Sequence, residues 1–356
     1  MNILEKYGYN DFFKAHAELI GATEIGRVIA PHRDQCQIIT EKGSFRAEVS
    51  GSFRHHAESS IEFPTVGDFV VITPLSEHGN IAVINAVLPR KSSFVRKAAG
   101  TNQELQIVAA NIDTLFICMA ANSDFNLRRL ERYLAASWDT GAKPAVILTK
   151  IDLCHDLDTL LTQINSVAIG VEIFPVSSFT PDSLVSLVNR IKLTETVALI
   201  GSSGVGKSTL INALIGTQAL ETQDIRKNEK GKHTTTHREL FLLPQGGMII
   251  DTPGMRELGI DSADLAQSFG DVEKLAQKCR FSDCSHHSEP GCAVQKAILE
   301  NTLDPARLAN YQKLEIEAQY EGLSFKQIEQ KKIDRMFAEV GGIKEARNFA
   351  KKNSRK

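Results

Sequence analysis

Gly201-Ser-Ser-Gly-Val-Gly-Lys-Ser-Thr209, preceded by the apolar run Thr196-Val-Ala-Leu-Ile200, reads as a strand, a phosphate loop and a helix. The spacing G-x-x-x-x-G-K-[S/T] has a mechanical basis. Gly201, Gly204 and Gly206 let backbone amides turn inward around phosphate oxygens, and the following helix points its positive end at them. Lys207 is placed to neutralise the β and γ phosphates and Ser208 to ligate Mg²⁺, while Ser202, Ser203, Val205 and Thr209 complete the cradle. Leu210-Ile-Asn-Ala-Leu-Ile215 supplies the amphipathic helix that the pattern requires. The stretch implies a nucleoside triphosphate and leaves the base open.

The chain has 356 residues, 42% hydrophobic and 24% charged, which predicts two or three globular domains rather than disorder. A formal net charge of -2 excludes nucleic-acid binding by bulk electrostatics, so any such partner is met locally. Met1-Asn-Ile-Leu-Glu-Lys-Tyr7 lacks a cationic segment followed by a long apolar run, and no later stretch approaches membrane-spanning length. A cytoplasmic protein without membrane contact is expected. Of six cysteines, Cys36, Cys118 and Cys154 are scattered and read as small buried thiols. Cys279, Cys284 and Cys292 are clustered, which in a reducing compartment suggests metal rather than disulfides.

Residues 1–22 are predicted as a docking helix. Residues 23–95 contain five short β-rich runs, Glu24–Ile29, Cys36–Thr40, Phe45–Val49, Asp68–Ile72 and Ile81–Val87, and fit a small OB-type β-barrel. Arg27, Arg33, Arg46, Arg54, His55 and His56 accompany it, as a solvated surface or an RNA-binding face. The basic stretch 90–101 is expected to bound the barrel. Residues 105–262 then alternate: strands at 112–119, 144–148 and 172–176, helices at 127–139, 156–167 and 181–191, the phosphate loop, and strands at 238–243 and 248–250. That alternation predicts a mostly parallel sheet covered on both faces, with ligands at the carboxyl ends of its strands. Residues 263–356 are expected to be helical around the cysteine cluster and to end in a basic tail, with Lys331, Lys332, Arg335, Lys344, Arg347, Lys351 and Lys352 available for phosphate contacts.

The base is addressed by Thr149-Lys-Ile-Asp152, directly after the strand at 144–148, which resembles the Asn/Thr-Lys-x-Asp motif of GTPases. Guanine offers N1–H and its exocyclic amine side by side, so the Asp152 carboxylate can accept both; adenine offers no matching pair. Lys150 would lay its stem along the base, and Ser177 and Ser178, again after a strand, would present amides and hydroxyls towards O6. Asp251-Thr-Pro-Gly254 follows another strand: Asp251 would hold Mg²⁺ through water and the Gly254 amide would sense the γ-phosphate. Between loop and D-x-x-G lies Lys230-Gly-Lys-His-Thr-Thr-Thr-His237, a candidate switch in which one threonine, Thr234 or Thr235 among them, would coordinate Mg²⁺. Most GTPases run phosphate loop, switch, D-x-x-G and then the guanine motifs. Here the guanine motifs come first, an order that circular permutation accommodates because each motif occupies its own strand-end loop.

The permuted order, Thr149-Lys-Ile-Asp152, Lys232-His-Thr-Thr-Thr236 and a cysteine/histidine module after the GTPase core together resemble the ribosome small-subunit-dependent, RsgA-like circularly permuted GTPases over nearly the whole chain. The resemblance implies a multidomain protein: an OB-type barrel, a central α/β circularly permuted P-loop GTPase and a C-terminal helical zinc-binding module. It also implies hydrolysis of GTP to GDP in late maturation of the small ribosomal subunit, contact with that subunit and its rRNA, and a monomer. Met255 stands where many GTPases carry a water-orienting glutamine, and the resemblance points to His233 as the catalytic group instead. Cys279-x₄-Cys284-x-His286-x₅-Cys292 supplies three thiolates and an imidazole, a closed tetrahedral shell suited to one structural Zn²⁺. His286, not His287, has the spacing that resembles the family's ligand. Two other readings remain: a zinc-containing RNA-binding assembly factor with nucleotide as a structural ligand, and a phosphate-loop ATPase with a chance T-K-x-D.

Overall fold

The computed structural model describes residues 1–32, 35–73, 81–97, 105–216, 238–251, 265–287, 289–318 and 327. Strands β1 (Ile25–Pro31), β2 (Cys36–Thr40), β3 (Gly43–Val49), β4 (Phe69–Ile72) and β5 (Ile81–Val87) close into a barrel in the order β1-β2-β3-β5-β4. β3 and β5 pair in parallel, and β1 and β4 close the ring antiparallel. Strand count and closure fit an OB-type fold. The period of two places Val28, Ile38, Ala47, Val70, Ile72, Ala82 and Ile84 inside.

In place of one docking helix the N-terminus forms two, Ile3–Lys6 and Asp11–Leu19. Each starts on an asparagine whose side chain accepts a backbone amide, from Glu5 and Phe12 respectively. Gly8, at φ +82°, turns the chain between them. Leu4, Phe13 and Ala17 bury against Ile25, Ile39, Phe69 and Leu88 of the barrel.

The basic stretch after the barrel contains β6 (Ser93–Lys97), which pairs antiparallel with β7 (Leu105–Ala110). The linker reading fails locally because Phe94 is apolar and has somewhere to go: it is 1% exposed in the core of the following layer. That layer is a sheet of β8 (Thr114–Ala120), β9 (Lys143–Thr149), β10 (Glu172–Pro175), β11 (Thr196–Ile200), β12 (Glu239–Leu242) and β13 (Met248–Asp251). Its order is β10-β9-β8-β11-β13-β12, parallel throughout except for the antiparallel edge strand β12. Every residue of β8 and β11 is buried, the signature of parallel strands covered on both faces. Helices Leu127–Asp139 and Leu157–Val167 cover one face, and Val185–Arg190 and Lys207–Ile215 cover the other.

Four further helices, Leu265–Ser268, Gly270–Ala276, Ala293–Leu299 and Pro305–Ala318, pack outside Leu127–Asp139. Phe269, Val272, Val294, Leu308 and Leu314 extend the same apolar core. A buried charge network crosses this contact. The Arg307 guanidinium donates twice to Asp271, at 2.7 and 2.7 Å, and once each to Glu131 at 2.8 Å and the Ser268 carbonyl at 2.9 Å. Glu131, 1% exposed, also accepts from Arg128 at 2.6 Å and Asn310 at 2.5 Å. Burial alone would lower the Arg307 pKa, but the Asp271 and Glu131 carboxylates outweigh it and hold it above its ordinary value.

Arg27 is not a surface cation. It is 1% exposed at the meeting of the barrel, the N-terminal turn and the base of the sheet. It donates to the Tyr7 carbonyl at 2.5 Å, the Gly67 carbonyl at 3.2 Å and Thr196 Oγ1 at 2.9 Å, and lies 3.2 Å from Met248 Sδ. Burial lowers its pKa to about 10 against the opposing pull of Asp113 and Asp68. Beside it, Gly67 at φ +92° lets the barrel touch the end of β7: a Cβ there would stand 2.0 Å from the Ala110 carbonyl oxygen. Among the described residues no helix is long and apolar enough to cross a membrane.

Candidate functional site

Because β9, β10, β11 and β13 are parallel, the loops after them meet at one edge of the sheet, and each carries one of the expected motifs. After β11 the chain turns through Gly201, Gly204 and Gly206 at φ +143°, +79° and +98°. A Cβ on Gly201 would lie 2.4 Å from the Cys118 carbonyl oxygen, so the loop leaves the sheet with no room for a side chain. Val205 and Gly201 are buried, whereas Ser203, Gly204, Ser208 and Thr209 are exposed. Lys207 begins the helix and folds back over the loop, its Nζ donating to the Gly201 and Ser202 carbonyls at 2.6 and 2.7 Å. Those carbonyls hold the ammonium at the mouth of the cradle, where a phosphate would compete for it. Asp251 ends β13, the neighbour of β11. Burial raises its pKa and the Lys207 charge partly offsets the rise.

Thr149 and Lys150 are tied directly to the loop. Thr149 Oγ1 donates to the Val205 carbonyl at 2.5 Å, and Lys150 Nζ donates to the Gly204 carbonyl at 2.7 Å. Lys150 takes the left-handed conformation, φ +58°, a strained choice for a lysine that turns the chain into the 3₁₀ turn Ile151–Leu153. Asp152 is exposed there, and its Oδ1 accepts from Ser177 Oγ at 2.5 Å. Ser177 is 1% exposed and in turn accepts the Phe179 amide at 3.2 Å, while Ser178 is exposed. One carboxylate is thereby aimed into solvent at a fixed distance from a phosphate cradle. Cys118, behind the loop, is wholly buried with its thiol pushed up to about 12 by burial, an inert packing group.

A fifth loop joins the site without any signature in the sequence. After β8, Asp124 Oδ2 accepts from Ser202 Oγ at 2.9 Å and from Arg129 Nη1 at 2.9 Å, and Arg129 Nη1 also donates to Ser202 Oγ at 2.8 Å. Asn126, which caps helix Leu127–Asp139 by accepting the Arg129 amide, was the only local signal in Asn122–Asn126. His233, Thr234, Thr235, Gly254, Met255 and the basic tail from Lys331 to Lys352 lie outside the described residues.

Cys279, Cys284, His286 and Cys292 come together with all ligand atoms within 4.8 Å of one another, so the group could hold a metal ion. Cys279 Sγ is 3.9 Å from Cys292 Sγ, and His286 Nδ1 is 3.6 and 3.5 Å from those sulfurs. The Ala293 and Gln295 amides, at the start of helix Ala293–Leu299, each lie 3.3 Å from a sulfur and favour thiolates. His286 reaches inward at φ +59°. His287 instead turns to Ser285, its Nδ1 2.9 Å from that carbonyl.

Residues 87–261 match the family model described as RsgA GTPase, and residues 186–343 match one described as ABC transporter, which overlaps the phosphate loop. The small ribosomal subunit biogenesis GTPase RsgA 2 of Lactiplantibacillus plantarum is 48% identical over 94% of this chain and 94% of its own length. The RsgA 1 protein of Listeria innocua is 46% identical over 89% and 90%. Among solved structures, YjeQ from Thermotoga maritima matches with TM-score 0.62 at 25% identity over 85% of this chain and 99% of that one. YloQ, described as a circularly permuted GTPase, shares the fold at TM-score 0.61 and 23% identity over 85% and 98%. The chain belongs to the RsgA GTPase family.

Proposed function

We propose that this chain is a Mg²⁺-dependent GTPase that binds the small ribosomal subunit and assists its maturation, hydrolysing GTP to GDP and phosphate to control its own release. The observation that carries the reading is the direct bonding of Thr149 and Lys150 to the Val205 and Gly204 carbonyls, with Asp152 set by Ser177 beside them. A base-reading carboxylate and a phosphate cradle built as one unit suit guanosine nucleotides. Relatives named small ribosomal subunit biogenesis GTPase support the biological setting.

In this reading Asp152 accepts guanine N1–H and the exocyclic amine, Lys150 lies along the base, and Gly201 to Lys207 bind the phosphates. Ser208 and Asp251 would hold Mg²⁺, the latter through water, and the ion supplies charge neutralisation between the phosphates. His233 in the switch would handle the attacking water, as the resemblance implies. The metal group fits structural Zn²⁺. A tetrahedron with legs of ~2.3 Å to sulfur and ~2.05 Å to nitrogen has S–S and S–N edges of ~3.8 and ~3.6 Å, against 3.9, 3.6 and 3.5 Å between Cys279, Cys292 and His286. With all four positions protein-filled, its part is structural. Arg54, His55 and His56, exposed on helix Gly51–His56 of the barrel, offer local positive charge for rRNA.

The test is multiple-turnover GTP hydrolysis with purified small subunits, large subunits and neither. Stimulation by the small subunit alone is expected; its absence would favour an RNA-binding assembly factor that holds nucleotide as a structural ligand. Asp152→Asn should move preference from guanosine to xanthosine nucleotides, and unchanged ATP use by the wild type and this variant would overturn the base assignment.

A further inference from the structure

Two neighbouring positions on one helix face in different directions. Arg129 closes a ring with Asp124 and Ser202, the first variable residue of the phosphate loop: Arg129 Nη1 lies 2.8 Å from Ser202 Oγ and 2.9 Å from Asp124 Oδ2, and Ser202 Oγ donates to the same carboxylate at 2.9 Å. The Ser202 carbonyl is one of the two that hold Lys207. One turn further along helix Leu127–Asp139, Arg128, Glu131 and Arg132 face the C-terminal helices. Glu131 takes Arg307 and Asn310, Arg128 pairs with Asp304, and Arg132 pairs with Glu317 at 2.9 Å. Helix Pro305–Ala318, which carries those partners, reaches the metal loop through Gln312, whose Nε2 donates to the Ser285 carbonyl at 3.0 Å.

Polar contacts thus run without a break from the Cys/His cluster, through helix Pro305–Ala318 and helix Leu127–Asp139, to the phosphate loop. Helix Leu127–Asp139 is a stiff body, wedged by Leu130, Leu134 and Ala136 against the sheet. A shift in how the C-terminal helices seat is therefore carried to Arg129 rather than absorbed. We propose that Arg129 is a positioning residue for the nucleotide site, setting the phosphate loop through Ser202, and that the C-terminal module sets Arg129 in turn through the Glu131–Arg307 contact. This rests on the nucleotide reading above. Arg129 touches neither nucleotide nor metal. Its effect on binding passes through the Ser202 hydroxyl, and a partner that grips the C-terminal module gains a path to nucleotide affinity.

The test titrates a fluorescent GDP analogue into the full-length protein and its variants. Arg129→Ala should weaken GDP binding about fivefold, the loss of one charge-assisted hydrogen bond. Arg129→Lys, which keeps a charged donor without the fork, should recover part of that loss, a rescue that a packing role would not show. Ser202→Ala, which removes only the hydroxyl and leaves the helix contacts in place, should lose the same factor as Arg129→Ala. Glu131→Gln should weaken binding by a smaller factor, and the double variant with Arg129→Ala should bind no worse than Arg129→Ala alone, since Glu131 acts through Arg129. Affinities of Ser202→Ala and Arg129→Ala within twofold of wild type would overturn the positioning role. Factors that multiply in the double variant would overturn the link to the C-terminal module. A wild-type chain that bound no GDP would remove the nucleotide reading itself.

Discussion

Replacing Arg307 by methionine tests whether charge or packing seats the C-terminal helices. The substitution keeps an unbranched apolar stem against Phe269, whose ring centroid lies 4.7 Å from the guanidinium carbon. It deletes four hydrogen bonds: two to Asp271, one to Glu131 and one to the Ser268 carbonyl. Glu131, with a fully buried side chain, is left with Arg128 and Asn310 alone. Removing one partner of a buried pair costs about 3–5 kcal/mol, because the remaining charge stays in a poorly solvating site. At ~2 °C per kcal/mol for a chain this large, the melting temperature should fall by ~6 °C or more. The measurement is calorimetry of the nucleotide-free protein at neutral pH. The second variant supplies the sign. Adding Glu131→Leu to Arg307→Met removes the stranded charge and should recover over half of the loss, as replacing whole buried ion pairs by apolar groups commonly does. A single-variant loss below ~1 kcal/mol, or a double variant no more stable than the single, would refute the view that this network holds the module.

Asp251→Asn should act in opposite directions on stability and on ligand binding. Burial raises the Asp251 pKa, so its contribution to stability is full below the unfolded value of 3.8 and is lost as pH rises through the raised folded value. At pH 7 the asparagine variant of the nucleotide-free protein should therefore melt higher, an advantage that disappears in acid, while its Mg²⁺-dependent GTP affinity falls; an equal melting advantage at pH 3 and pH 7 would contradict the burial argument. Elemental analysis should find about one zinc per chain, and strong chelation should lower the melting temperature and loosen helix Ala293–Leu299 in hydrogen exchange; metal-free protein with unchanged protection would remove the metal reading. Gly67→Ala should destabilise by ~2 kcal/mol or more, since it combines a positive φ with a Cβ placed against the Ala110 carbonyl oxygen; equilibrium unfolding in urea checks it.

Local pattern made most of the fold legible. The five barrel strands and the alternation of the sheet emerged because apolar period and turn residues are short-range signals. The T-K-x-D and phosphate-loop residues were legible for the same reason, each being a contiguous motif. Residues whose role depends on distant partners were not. Arg27 read as a surface cation because nothing within ten residues reveals that Thr196 and Met248 close over it. Phe94 sat unnoticed in a basic stretch, although a lone phenylalanine among small residues was the available hint. Arg129 and Asp124 reach the site through a helix cap and a loop with no nucleotide signature, so their part is visible only in three dimensions.

Arg27 also sets a schedule for synthesis. Met248 follows it by 221 residues and Thr196 by 169. At roughly 5–20 residues per second, the barrel is complete for some ten seconds or more before the groups that will bury its arginine leave the ribosome. During that interval the guanidinium is solvated, and the barrel and N-terminal helices have no sheet to lean on. Final assembly of this chain is thus a late event that waits on its last parallel strand, and the newborn barrel spends its first moments as an independent body beside the very particle its relatives are named for.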